Sequence, residues 1–193
     1  MKKVVITFLF LFCLAPFANA EEKKSNPAKE SSVELITAVD ELECGGTKVV
    51  AETTCTADSK PTFKTCTKQT ISFKDMKKGG EIIKKIHNEN LGGADERVGK
   101  NIDAFIWRWA CVRGKDRSYL VLEFATGGSC AGCEWDEIYQ IDGKKVASKK
   151  SKNRTQEAIQ EAVEKFQRTY RALGIEKLPR SLFQRIKILK NQE

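Results

Sequence analysis

A chain of 193 residues that is 40% hydrophobic and 31% charged has the size and polarity of one soluble domain, which excludes a bundle of membrane helices. Its single histidine excludes multi-histidine metal sites and leaves His-dependent nucleophilic catalysis resting on His87 alone. The formal charge of +8 makes the chain moderately basic, and its seven cysteines are an odd count for a disulfide framework.

The first segment removes that oddness. Lys2 and Lys3, the apolar run Val4 to Pro16 and the box Ala18-Asn19-Ala20 form the three-part pattern of a secretory signal peptide. The run falls short of the roughly 20 apolar residues that span a bilayer. Cleavage after Ala20 takes Cys13 away and leaves Cys44, Cys55, Cys66, Cys111, Cys130 and Cys133. In the periplasm or outside the cell such an even set reads as disulfides. The leaving segment carries two lysines and no acids, so the remaining charge is +6 (+8 minus 2). Residues 21–32 mix Lys, Glu, Ser and Pro without large apolar side chains, the composition of a flexible leader. A single domain is expected over 33–193, β-rich to 148 and helical over 153–192.

From Lys48 to Phe73 the chain is rich in Val, Thr, Ile and Phe, interrupted at Asp58-Ser59-Lys60-Pro61, which predicts a hairpin. A turn centred between Lys60 and Pro61 sets Cys55 across from Cys66, within disulfide reach. Strand parity groups Cys66 with Lys64 and Lys68, on the face opposite Phe63, Ile71 and Phe73. Glu81 to Asn88, with Ile82, Ile83 and Ile86 on one side and Gly92-Gly93 beyond, reads as a short helix.

A second hairpin follows over Ala104 to Val112 and Ser118 to Ala125, turning at Arg113-Gly114-Lys115-Asp116-Arg117. Matching its apolar stripes sets Trp109 opposite Leu122 and Cys111 opposite Leu120, with Phe105 and Trp107 sharing the face of Trp109. A third hairpin spans Trp135 to Ala147, with Asp142-Gly143 as a two-residue turn and Tyr139 facing Val146. Ile159, Ala162, Val163, Phe166, Tyr170 and Leu173 then recur at helical spacing, with Asn153 or Thr155 as N-cap and Gly174 as C-cap. A second helix from Pro179 is expected to bury Leu182, Phe183, Ile186 and Leu189. The fold class is therefore α+β: antiparallel hairpins forming a curved, disulfide-braced sheet with a C-terminal amphipathic helix pair packed against it.

Cys130-Ala131-Gly132-Cys133 is the sharpest chemical motif. An apolar strand running into Cys-x-x-Cys resembles the approach to the redox site of thioredoxin, and that resemblance implies thiol–disulfide exchange through Cys130 and Cys133. Thioredoxin chemistry sets the first cysteine at a helix N-terminus. Here Glu134-Trp135-Asp136-Glu137 and strand character follow, and three acids raise a thiol pKa, so the motif reads first as framework. The other cysteines are too widely spaced for a second zinc pair, so no metal is expected. Glu134, Asp136 and Glu137 beside Trp135 offer paired carboxylates for glycosidase-type chemistry, against the plainer reading of a polar strand edge. No glycine-rich phosphate loop is present, and no cofactor is expected.

The expectation for function is an exported, non-catalytic binding protein of the inhibitor, immunity or envelope-assembly type, acting on another periplasmic or secreted protein. Arg113, Lys115, Arg117 and Trp135 are the candidate contact residues, in or beside the loops Arg113 to Arg117 and Gly127 to Glu134. Export disfavours nucleic acid as a partner. The basic runs Lys144 to Arg154 and Arg180 to Lys190 make membrane-surface contact the lesser alternative.

Overall fold

The fold is taken from a computed structural model. It describes residues 34–57, 66–88, 91–95, 99–102, 104–126, 132–151, 153, 155–175 and 180–186, with the backbone alone over 91–95 and 99–102. The predicted signal and leader, the turn at Asp58 to Pro61, Phe63, Cys130 with most of its loop, and Leu189 lie outside these residues.

Four strands, β1 (Leu35–Cys44), β2 (Thr47–Thr56), β3 (Cys66–Asp75) and β4 (Glu81–His87), form one antiparallel sheet in chain order. The short pair β5 (Leu91–Asp95) and β6 (Gly99–Ile102) stands by itself as a two-stranded sheet. The second large sheet contains β7 (Phe105–Arg113), β8 (Ser118–Ala125), β9 (Glu134–Gln140), β10 (Lys145–Ser148) and β11 (Gln184–Arg185), in the order β10-β9-β8-β7-β11. One helix, α1 (Gln156–Ala172), lies between β10 and β11 in the chain.

Alternation of apolar and polar residues decides what meets what. Val49, Ala51, Ile71 and Phe73 of the first sheet and Ile106, Trp109, Leu120, Leu122, Phe124, Trp135 and Tyr139 of the second share one core. The other face of the second sheet, through Ala110, Val112, Val121 and Ile138, packs on Phe166 and Tyr170 of α1. Sheet, sheet and helix thus form three layers, an α+β arrangement. Full burial of Phe166 alone stabilises this outer layer by about 2–3 kcal/mol. Thr155 is the N-cap of α1, accepting from the Ala158 amide, while Asn153 accepts from the Thr155 amide at 3.1 Å and hydroxyl at 2.9 Å.

Two cystines and one amide brace the sandwich. Cys44–Cys111 joins the two sheets, and Cys55–Cys66 ties β2 to β3. The buried Gln69 side chain donates to the Ile106 carbonyl at 2.8 Å and accepts from the Ile106 amide at 2.7 Å, standing in for a strand neighbour. Cystines persist in oxidising surroundings, which suits an exported chain.

The register Trp109–Leu122 and Cys111–Leu120 is as expected, and so is the Cys55–Cys66 pairing. Three bulges overturn neighbouring expectations. Thr54 opposes Lys68 while Cys55 opposes Cys66, so Thr67 is an extra residue. The added residue flips the parity of β3, and Cys66 lies fully buried beside Phe105 and Trp107 rather than on the wetter face. Trp107 is likewise an extra residue in β7, which brings Ile106 onto the face of Trp109 and separates Phe105 and Trp107 from it.

The segment Glu81–His87 is a strand, not a helix. Gly79 and Gly80, with φ of 69° and 84°, turn the chain back along β3, and helical winding stops at the single 3-10 turn Met76–Lys78. Ile83 is bulged there, so Ile82, Ile83 and Ile86 mimic a helical spacing although their branched side chains favour a strand. The turn between β9 and β10 is one residue longer than expected. The Gln140 amide donates to Lys144 and the Gly143 amide to Gln140, so Tyr139 opposes Lys145 and not Val146.

The helix pair is also replaced. After α1 the chain makes a 3-10 turn at Arg180–Leu182 and then β11, which pairs with the edge of β7. The Ile186 amide donates to the Trp107 carbonyl at 2.9 Å, satisfying edge groups that a second helix would leave bare. Ile186 enters the inter-sheet core and Phe183 the layer under α1, while Leu182 stays half exposed.

Candidate functional site

A row of charged residues crosses the second sheet on the face that carries α1. Arg108 of β7 opposes Glu123 of β8, which opposes Asp136 of β9, and the Lys149 amide just past β10 donates to the Asp136 carbonyl. Arg108 Nη1 lies 3.7 Å from Glu123 Oε2, and the Lys149 ammonium forms a close ion pair with Asp136. The order along the row is cation, carboxylate, carboxylate, cation. Arg108 also stacks its guanidinium 3.8 Å above the Trp107 ring.

Glu123, Asp136 and Lys149 of this row floor a cleft of about 480 Å³, walled by Val163, Phe166, Gln167 and Tyr170 of α1 and by Arg180 and Phe183. Burial pushes the Glu123 carboxyl above its ordinary 4.5, Asp136 beside it pushes the same way, and Arg108 opposes the rise. Each carboxylate has a cation beside it. The cleft therefore offers a compensated polar floor and aromatic walls, suited to holding a polar ligand with a flat apolar part.

A second groove of about 480 Å³ runs between α1 and β10. Val146, Ala147, Ala158 and Ala162 supply its apolar lining, with Phe166 behind. Lys145, Lys150 and Lys165 line it against one acid, Glu161. Because β10 ends the strand order of its sheet, its outer edge faces no strand among the described residues. Lys149 and Lys150 set their ammonium groups 4.8 Å from the Phe166 and Trp135 ring centres, anchoring the segment between β10 and α1.

The four candidate contact residues do not converge. Arg113, Lys115 and Arg117 are exposed at one end of the second sheet, where the Lys115 amide donates to the Leu173 carbonyl at the C-terminus of α1. Trp135 sits at the other end, only 5% exposed and stacked on Phe124 with ring centres 5.1 Å apart. Of the three acids around it, Glu134 is exposed, Asp136 belongs to the charge row, and Glu137 is buried. Glu137 accepts from the Tyr139 hydroxyl, from Ser148 Oγ at 3.0 Å and from Lys145 Nζ at 3.3 Å. Burial raises the Tyr139 phenol pKa, and the Glu137 charge adds to the rise.

Cys133 is disulfide-bonded and buried, and β9 starts directly after it. Among the described residues no three His, Cys, Asp or Glu side chains group to hold a metal ion, and no helix is long and apolar enough to cross a membrane. Sequence reasoning missed Glu123 and its partnership with Asp136. The readable signal was a lone acid in the apolar strand Tyr119 to Phe124, on the same sheet face as Arg108. No protein-family model, curated protein or solved structure matches this chain.

Proposed function

We propose that this chain is an exported, disulfide-braced, non-catalytic binding protein acting on another exported protein, of the inhibitor, immunity or envelope-assembly type. The groove between β10 and α1 carries this reading. A strand edge beside a lysine-rimmed apolar trough suits an extended acidic segment, whose backbone pairs with β10 while its carboxylates meet Lys145, Lys150 and Lys165. The balanced charges of the neighbouring cleft support binding over catalysis, because neither carboxylate stands apart from a cation.

The experiment compares the mature chain with its Lys150→Glu/Lys165→Glu variant for binding to a fluorescent Glu-rich extended peptide at low and high salt. The expected result is saturable binding by the parent, weakened by salt and lost in the variant. Equal affinity of parent and variant removes the groove from consideration.

Thiol–disulfide exchange through Cys130 and Cys133 is the alternative. It has less support, since Cys133 is bonded, buried and followed by a strand instead of a helix N-terminus.

A further inference from the structure

The β3–β4 hairpin tip gathers a group of exposed large apolar side chains. Met76 is 48% exposed, and Ile82 and Ile83 are each 45% exposed. All three lie within the turn or the start of β4, joined by Gly79 and Gly80. Lysines surround them: Lys77, Lys78, Lys84 and Lys85 are exposed, and Lys74 is paired across from Ile82. Over 74–85 five lysines face two acids, Asp75 and Glu81, a net charge of +3. One oxygen of Asp75 is engaged in capping, accepting from the Lys77 amide at 2.9 Å.

Apolar groups at a tip with ammonium groups on flexible stems around them match the layering of an anionic bilayer surface. The acyl boundary takes apolar side chains, and the headgroup phosphates above it take cations. We propose that this hairpin tip docks the protein on anionic lipid bilayers, with Met76, Ile82 and Ile83 entering the headgroup boundary and Lys77, Lys78 and Lys85 meeting phosphates. The site is separate from the groove beside β10.

Co-sedimentation of the mature, oxidised chain (residues 21–193) with phosphatidylglycerol-containing vesicles and with pure phosphatidylcholine vesicles tests this. The parent should bind the anionic vesicles only, and less at high salt. Lys77→Gln/Lys78→Gln should weaken binding about 25-fold, about fivefold for each lysine near the surface. Ile82→Ser/Ile83→Ser should weaken it about tenfold or more, and since each side chain is about half covered, a urea unfolding curve run beside the assay confirms that the variant is folded under the binding conditions. The Lys150→Glu/Lys165→Glu variant should bind vesicles at least half as well as the parent, which separates this proposal from the groove. Three results overturn it: no vesicle binding, equal binding to phosphatidylcholine, or undiminished binding by Ile82→Ser/Ile83→Ser. Equally tight binding to soluble polyglutamate, indifferent to the isoleucine variant, assigns the patch to an acidic protein and overturns the membrane reading too.

Discussion

Removing Cys44–Cys111 and Cys55–Cys66 one at a time should cost unequal amounts, with the larger loss at Cys44–Cys111. That bridge spans 67 residues of sequence, whereas Cys55–Cys66 spans 11. Loop-closure entropy in the unfolded chain then gives about 4.4 kcal/mol for the longer loop and about 2.8 kcal/mol for the shorter, a gap of about 1.6 kcal/mol. Because the short loop is nested in the long one, the outer loop shortens slightly when the inner bridge is intact; the logarithm makes that correction about 0.2 kcal/mol. Packing acts in the opposite sense. Cys55 and Cys66 are both fully buried, while Cys111 is only partly so. Replacing cysteine with alanine thus loses somewhat more burial at the short bridge, a difference of about 0.5 kcal/mol that leaves the order intact. The assay is urea unfolding at equilibrium of Cys44→Ala/Cys111→Ala and Cys55→Ala/Cys66→Ala beside the oxidised parent, with m-values compared to detect residual structure. Equal losses, or a greater loss at Cys55–Cys66, refute the account of Cys44–Cys111 as the principal constraint.

Gln69→Leu leaves the Ile106 amide and carbonyl without their side-chain partner between the sheets, and should cost about 2–4 kcal/mol in the same urea assay. Gly114→Ala sets a methyl 2.7 Å from both the Leu173 carbonyl oxygen and the Tyr119 ring; a loss of about 1–3 kcal/mol is expected in thermal unfolding. Glu123→Gln should alter the pH dependence of stability. A carboxyl raised above 4.5 in the fold contributes stability that is present below that value and lost as pH rises through the elevated pKa. The parent must therefore fall relative to the variant between pH 4.5 and 7, and urea midpoints that keep a constant gap over that window contradict the burial of Glu123.

What could be read from the residues was what depends on neighbours in the chain. The hairpin of β7 and β8 has a short turn and two clear stripes, so Trp109 and Leu122 declare each other. Cys55 and Cys66 flank one turn in the same way. The extra residues Thr67, Ile83 and Trp107 carry no such mark, yet each reverses the parity of everything beyond it. From those reversals come the misplaced face of Cys66, the misgrouped Phe105 and Trp107, and the isoleucines that looked helical. The spacing of Leu182, Phe183 and Ile186 fits a helix as well as a turn followed by a strand, and only the open edge of β7 decides between them. The charge row needs Glu123 and Asp136 side by side, and the long connection between β8 and β9 hides that adjacency.

The pairing of β11 with β7 has a consequence for the order in which the protein is made. Gln184 reaches Trp109 only after 75 further residues have been added (184 minus 109). For the last 59 of those residues (184 minus 125) the growing chain already holds both strands of the β7–β8 hairpin while one flank of β7 still lacks its cover. The two-residue strand β11 therefore acts as a latch that closes only once residue 185 is in place. A chain truncated at residue 179 carries every other strand described here and leaves that flank open to a stranger.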